Sequence, residues 1–422
     1  MIKIIDFASI KPEEVFSRLQ DKVDVSVPVR EIIENVQKNG DKAIKEYALK
    51  FDGVNLSDIT VSKEEIDDAF NSVDEEYIEI IKRAAKNIKD FHLKQVREGF
   101  SIEKDGVIVG QKILPIENVG LYVPGGTASY PSTVLMDAIP AKIAGCKNVV
   151  MTTPPKKDGK IKPEVIVASV IAGVDTIYKV GGAQAIAALA YGTETVLKVD
   201  KIVGPGNVFV AEAKRQVFGK VSIDMIAGPS EILVIADDTA NPDFVAADLL
   251  SQAEHDKNAS AVLVTDSLSF ADKVSESIEK QLKELDRLEI ARASIDVNGK
   301  IIVTKDIEKA IDVANDIAPE HLEICLENPF SYLDKIKNAG SVFLGNYCPE
   351  AMGDYYAGTN HTLPTSGTAR FSSPLSVDDF IKKTQYIYYD KTALEKAKND
   401  VEVFAESEGL TAHKQSVSVR FK

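Results

Sequence analysis

Four of the five histidines fall in polar motifs: Gln252-Ala253-Glu254-His255-Asp256, Pro319-Glu320-His321, Asn360-His361 and Ala412-His413-Lys414. An adjacent carboxyl and imidazole can divide two proton transfers. The imidazole, titrating near neutrality, takes a hydroxyl proton, and a carboxylate in a partly dry site activates water. Pro319 and Glu320 equally suit the opening of a helix. The helical run from Phe244 to Leu250 leads into Gln252 and His255, whose i, i+3 spacing puts both side chains on one helix face, as a metal pair requires. Glutamine is a weak zinc ligand and such a pair also suits a solvated surface, so a metal site needs a carboxylate and another imidazole from elsewhere. Gly353-Asp354-Tyr355 and His413 are the best-placed candidates. His92, beside Phe91, reads as structural. Cys146 follows a small-residue helix and precedes a strand, which suits a small buried apolar residue better than a nucleophile. Cys325 and Cys348 have no partner in their local sequence.

The elements that position these residues divide the chain. In the first hundred residues the texture is helical. Ser62-x-x-Glu65 and Ser72-x-x-Glu75 have the capping-box form, and Tyr77, Ile81, Ala84, Ile88 and Phe91 recur at helical spacing. From about Gly120, short β-branched runs alternate with small-residue helical runs: 148–153, 176–180, 201–203, 232–236 and 261–264 read as strands. Strands alternating with helices of ten to fifteen residues mean βαβ units and a parallel sheet. A further strand over 341–345 precedes a polar loop over 346–373, and the tail from about Ser376 reads as helix opened by Asp378-Asp379. Two α/β lobes with helical ends are expected. Four strand ends are glycine turns: Tyr122-Val123-Pro124-Gly125-Gly126, Val180-Gly181-Gly182-Ala183-Gln184, Gly204-Pro205-Gly206-Asn207 and Gly228-Pro229-Ser230-Glu231. Ligands in open α/β sheets bind outside the carboxyl ends of strands, where glycine admits a close backbone approach, so four such turns point to a nucleotide crevice. None is G-x-G-x-x-G, and no acidic ribose reader is identifiable by spacing.

Composition bounds the function. The net charge of −15 argues against broad nucleic-acid binding and against adhesion to anionic membrane. The longest apolar stretches, such as Val165 to Val174, fall short of the roughly 18 residues of a membrane span. The opening Met1-Ile2-Lys3-Ile4-Ile5-Asp6 fits no signal peptide. Three scattered cysteines make neither a disulfide framework nor a Cys-rich zinc site. A cytoplasmic protein is expected.

Taken in order, these motifs resemble the histidinol dehydrogenase family over nearly the whole chain. The carriers are Val119 to Gly126, Val180 to Ala190, Lys201 to Asn207, Ile223 to Asp237 running on to His255, and Ala318 to Leu322. Gly353-Asp354-Tyr355 with Gly358 to His361, and Leu410 to Lys414, complete the series. The resemblance implies oxidation of L-histidinol to L-histidine through L-histidinaldehyde with two NAD+ and one Zn2+ per active site. It implies Glu320 and His321 as catalytic bases and Gln252, His255, Asp354 and His413 as zinc ligands. Ser230, Glu408 and His321 complete the histidinol pocket beside those ligands. Tyr122, Gln184 and Asn207 contact NAD. It further implies an arm over 1–22, a first α/β lobe over 23–118 plus 234–372, a second, NAD-binding Rossmann-like lobe over 119–233, and a helical piece over 373–422. The lobes are incomplete Rossmann-like units, and the homodimer is intertwined, with the C-terminal piece completing the partner's site. His361 is read as ordering its loop, and Cys348 has no assigned role. Zinc is expected to orient substrate more than to activate the alcohol.

Two other readings stay open on the residues alone. A zinc hydrolase would use the metal and a carboxylate base on a C–N or ester bond without NAD. A non-catalytic nucleotide-binding oligomer would bind through the glycine turns and turn over no alcohol.

Overall fold

A computed structural model describes residues 1–9, 24–125, 130–226 and 228–422. Five short runs, β4 (Asn118–Tyr122), β5 (Asn148–Thr153), β6 (Thr176–Lys179), β7 (Lys201–Val203) and β8 (Ser222–Ile223), form one all-parallel sheet in the order β6-β5-β4-β7-β8. Their side chains alternate between two buried faces. Val119, Leu121, Val149, Met151 and Val203 meet α2 (Lys63–Ser72), α3 (Glu75–His92), α4 (Pro131–Ala144) and α5 (Pro163–Ala172). Tyr122, Val150, Tyr178 and Ile202 meet α1 (Ser26–Tyr47), α6 (Gly182–Tyr191) and α7 (Val208–Val217). Burial on both faces explains the continuous apolar texture of these strands.

The second sheet repeats the topology. Strands β9 (Glu231–Ala236), β10 (Ser260–Thr265), β11 (Lys300–Val303), β12 (His321–Cys325) and β13 (Ser341–Leu344) run parallel, and β1 (Lys3–Asp6) adds to the outer edge, giving β1-β11-β10-β9-β12-β13. One face packs on α8 (Pro242–Ala253), α9 (Leu268–Gln281) and α10 (Leu288–Val297), and the other on α11 (Ile307–Ile317). The short α12 (Phe330–Leu333) precedes β13, and α13 (Glu350–Tyr355) follows it. Each sheet thus has the 3-2-1-4-5 order of a Rossmann-like unit that stops short of a sixth strand. This is the expected fold class.

Several local expectations are corrected. Helices α1 to α3, expected with the 234–372 lobe, bury their apolar stripes against the 118–223 sheet. The Ser62 box forms as read, but Asp74 caps α3 in place of Ser72, its carboxylate accepting from the N–H groups of Glu76 and Tyr77. Residues 1–22 hold strand β1, and 10–23 lie outside the described residues. The tail opens on strand β14 (Ile381–Tyr389), not on a helix. This strand pairs antiparallel with β3 (Val107–Pro115), which also pairs with β2 (Phe100–Lys104). Asp378 and Asp379 sit in the single turn before β14, which the helix-start signal could not distinguish from a longer helix. Two helices, α14 (Lys391–Ser407) and α15 (Thr411–Ser418), end the chain and pack mainly on one another.

The turn after β7 is held from below by a buried ion pair. Lys214 on α7 meets Asp224, both almost fully buried, and its Nζ also donates to the Gly204 carbonyl at 2.9 Å. Asp224 accepts from the Gly204 N–H at 2.8 Å. Gly204 has φ +113°, and a Cβ there would stand 2.1 Å from the Tyr122 carbonyl oxygen, so only glycine fits. Removing one member of a buried pair leaves the other charge uncompensated. Lys214→Met is therefore expected to cost about 3–5 kcal/mol of stability, read as a lowered urea midpoint.

Candidate active site

The reactive residues gather at the amino ends of β9 and β12, the point where the second sheet's strand order reverses. His321 and Glu231 are the first residues of their strands. Helix α8 descends from β9 and ends at Ala253, so Gln252 arrives there in its last turn. The polar loop after β13 brings Glu350 and Asp354 on α13. The glycine turns after β4, β6 and β7 lie at strand carboxyl ends, whereas the fourth turn, Gly228-Pro229-Ser230-Glu231, expected at such an end, leads into the amino end of β9, where the His321 group lies. Glu320-His321 also begins a strand, so the helix-opening reading fails.

His321 is buried, and its Nδ1 lies 2.9 Å from the Glu231 carbonyl oxygen, an acceptor that fixes the proton on Nδ1. Nε2 is left with its lone pair and no hydrogen-bond partner. It faces Glu350 Oε1 and Asp354 Oδ1, each at 3.8 Å. Burial lowers the affinity of this imidazole for a second proton against the pull of Glu350. The result is a neutral base aimed into a group of carboxyls. Glu320 lies against the Nδ1 edge, 3.7 Å away, and its Oε2 accepts from the Glu231 N–H at 2.9 Å. Burial, then the charge of Glu231, raises the Glu320 carboxyl well above its usual range.

The acids are numerous and dry. Burial and the neighbouring Glu350 push Asp354 up to about 9. Glu350 is buried, accepts from Ser251 Oγ at 3.1 Å, and leaves Oε1 without a hydrogen-bond partner. Its backbone N–H donates to Glu323 at 2.7 Å, and Glu323 and Asp248 are both raised, chiefly by burial. Buried carboxyls clustered in this way repel one another and attract a cation. His321, Glu350 and Asp354 offer ligand atoms within 4.8 Å of one another, a grouping able to hold a metal ion.

The expected residues are only partly brought together. Gln252 is buried with Nε2 unpartnered, a donor set awaiting a polar partner. Helix α8 stops before His255, so the two do not share a helix face. His255 is half-buried just beyond the helix, close enough that its charge acts on His321 and His361. Ser230 is half-buried beside Glu231 and its carbonyl accepts from the Ser260 N–H. Glu408 caps the exposed end of α14 and His413 lies exposed on α15, and His413 is absent from the described ligand grouping. Glu350 and Glu323 had no signal beyond being acidic, and Glu231 and Asp248 stood inside recognised motifs with no role assigned to them. His361 is half-buried, its Nδ1 3.1 Å from the Asp354 carbonyl oxygen and its Nε2 3.2 Å from Thr133 Oγ1, so it ties the loop to α4. His92 meets Gln95 at 2.7 Å inside the scaffold, and Cys146 is buried, as read.

At the other lobe, the Tyr122 hydroxyl accepts from the Gly182 N–H at 3.1 Å. Burial, aided by Asp52, pushes the phenol up to about 12. Gln184 is buried in the first turn of α6, and Asn207 is exposed, capping α7 by accepting from Phe209 and Val210. Tyr122 and Gly204 flank the switch point between β4 and β7.

No helix of the described residues is long and apolar enough to cross a membrane. Residues 17–421 match the family model described as histidinol dehydrogenase. The histidinol dehydrogenase of Clostridium acetobutylicum is 55% identical, covering 100% of this chain and 99% of that protein. That of Listeria innocua is 56% identical over 94% of this chain and 93% of its own. The crystal structure of histidinol dehydrogenase from Elizabethkingia anophelis superposes with a TM-score of 0.95 at 45% identity, covering 100% of this chain and 98% of that one.

Proposed function

The chain belongs to the histidinol dehydrogenase family of NAD-dependent oxidoreductases, and from that premise we propose that it oxidises L-histidinol through bound L-histidinaldehyde to L-histidine, with two NAD+ in turn. The observation that carries the proposal is His321: its tautomer is fixed by the Glu231 carbonyl, and its unpartnered Nε2 faces the acidic group. Nε2 takes the alcohol proton as the first hydride leaves for NAD+. Glu320 takes a proton from water as it adds to the aldehyde. His321, having released its proton, accepts the hydroxyl proton of the hydrate as the second hydride leaves. Each NAD+ accepts one hydride, which balances the four electrons.

Gln252, His255 and Asp354 would hold Zn2+, with His413 of a second copy. The metal, when bound, supplies a fixed anchor that orients the substrate. The carboxyl of Asp354, raised by burial and set among ligand atoms within 4.8 Å of one another, suits that role. Glu350, aimed at the same space as Asp354, belongs with this set. Ser230 and Glu408 complete the substrate pocket, and Tyr122, Gln184 and Asn207 line the cofactor crevice. A homodimer is part of this proposal, supported by apolar surface at the C-terminal end that a second copy would cover: Phe404 on α14 is 69% exposed and Ile387 on β14 is 72% exposed. A cytoplasmic location belongs to the same proposal.

The test is the yield of NADH per L-histidinol at completion, with zinc-loaded protein. Two NADH per substrate, abolished by a chelator and restored by zinc, is the expected result. One NADH with released aldehyde would leave a simple alcohol dehydrogenase. NAD-independent turnover of an ester or amide would favour a zinc hydrolase instead.

A further inference from the structure

Rossmann-like units ordinarily distinguish NAD from NADP by an acid at the carboxyl end of the second strand, bonded to the adenosine ribose diol. Here that strand is β5, which ends in Thr152-Thr153 and runs into Pro154-Pro155-Lys156-Lys157; the first acid, Asp158, stands five residues on, exposed, its carboxylate accepting from the Lys160 N–H within its own turn. The place is filled from elsewhere. The Val61 N–H donates to the Ile177 carbonyl at 2.9 Å and the Lys179 N–H to the Ile59 carbonyl at 2.7 Å, so residues 59–61 run antiparallel along β6. Residues before 59 therefore lie beyond the carboxyl end of that strand. There Val54 approaches Gly159, in the loop after β5. Asp52 ends the wide helical turn Ala48–Asp52 that follows α1, and its charge acts on the Tyr122 phenol. Its Oδ2 is buried with no hydrogen-bond partner.

Resting on the cofactor reading above, we propose that Asp52 is the specificity residue for the dinucleotide, its carboxylate accepting from the 2′- and 3′-hydroxyls of the adenosine ribose. The end of the dinucleotide follows from which face the residue occupies. The site loop meets the five-stranded lobe through α3 and α4: Asn87 to the Tyr356 carbonyl, Thr133 to His361, and Thr362 to Asp137. Asp52 follows α1, the helix on the opposite face of that sheet. The nicotinamide must reach His321 beside the site loop, which leaves the adenosine end for Asp52. A carboxylate there accepts a diol well and repels a 2′-phosphate.

Isothermal titration of wild type, Asp52→Asn and Asp52→Ala with NAD+ and with NADP+ tests this, after melting curves show each variant folded. Wild type is expected to bind NAD+ at least about tenfold tighter than NADP+, the worth of a charged hydrogen bond. Both variants are expected to lose about tenfold in NAD+ affinity and none in NADP+ affinity. Equal loss for both cofactors, or unchanged NAD+ affinity, overturns the assignment. Wild type that binds neither cofactor would instead overturn the cofactor reading, and the assignment would fall with it.

Discussion

His321→Gln is expected to lower kcat by about 10²–10⁴, the range of a general base, for L-histidinol and for L-histidinaldehyde offered directly. Glutamine keeps a polar group near the Glu231 carbonyl but supplies no neutral imidazole lone pair toward Glu350 and Asp354. Both oxidations lose their proton acceptor, so both half-reactions slow together. Glu320→Gln separates them. It leaves His321 Nδ1 bonded to the Glu231 carbonyl and removes only the group proposed to activate water. Alcohol oxidation should survive far better than aldehyde oxidation, seen as aldehyde trapped by a carbonyl reagent. A Glu320→Gln enzyme that oxidised the aldehyde at the wild-type rate would remove Glu320 from the mechanism.

The second large effect is expected from mixing two dead enzymes. Glu408 and His413 stand on the exposed C-terminal helices, and within one chain α15 packs mainly on α14 and the final turn. If these residues serve a second copy's site, His413→Ala and His321→Gln homodimers are each nearly inactive. When the subunits are exchanged by mild unfolding and refolding, each heterodimer has one site built from an intact His321 and an intact His413. Statistical pairing makes about half the dimers mixed with one working site each, so roughly a quarter of wild-type activity should return. Activity that stayed at the sum of the two parents would place His413 in its own chain's site.

Much of this was legible in order and alternation. The strand runs at 148–153, 176–180, 232–236 and 261–264 stand where they were read, because strands buried on both faces must be apolar throughout. Gln252, His255 and Glu320-His321 were visible because their chemistry lies within a few residues of sequence. Glu350 was not. Its meaning comes from the 3.8 Å between its Oε1 and His321 Nε2, a distance set by the loop after β13. Asp52 was hidden in the same way, since the strand it serves lies a hundred residues further on. Strand β14 carries Lys382, Lys383, Thr384 and Gln385 on an exposed strand, where no apolar alternation marks it. Its partner β3 lies far back in the chain, and only that pairing makes it a strand.

The two lobes offer opposite ends of their helices to what they hold. At the glycine turns, α6 begins at Gly182 and α7 at Val208, so the positive ends of both macrodipoles face the proposed cofactor crevice, where a pyrophosphate would be negative. At the His321 group, α8 finishes at Ala253 and α11 at Ile317, so the negative ends of their macrodipoles face the site proposed for a dication and a protonated amino alcohol. By using the carboxyl ends of one sheet and the amino ends of the other, the chain would sort the two proposed ligands by charge before any side chain is counted.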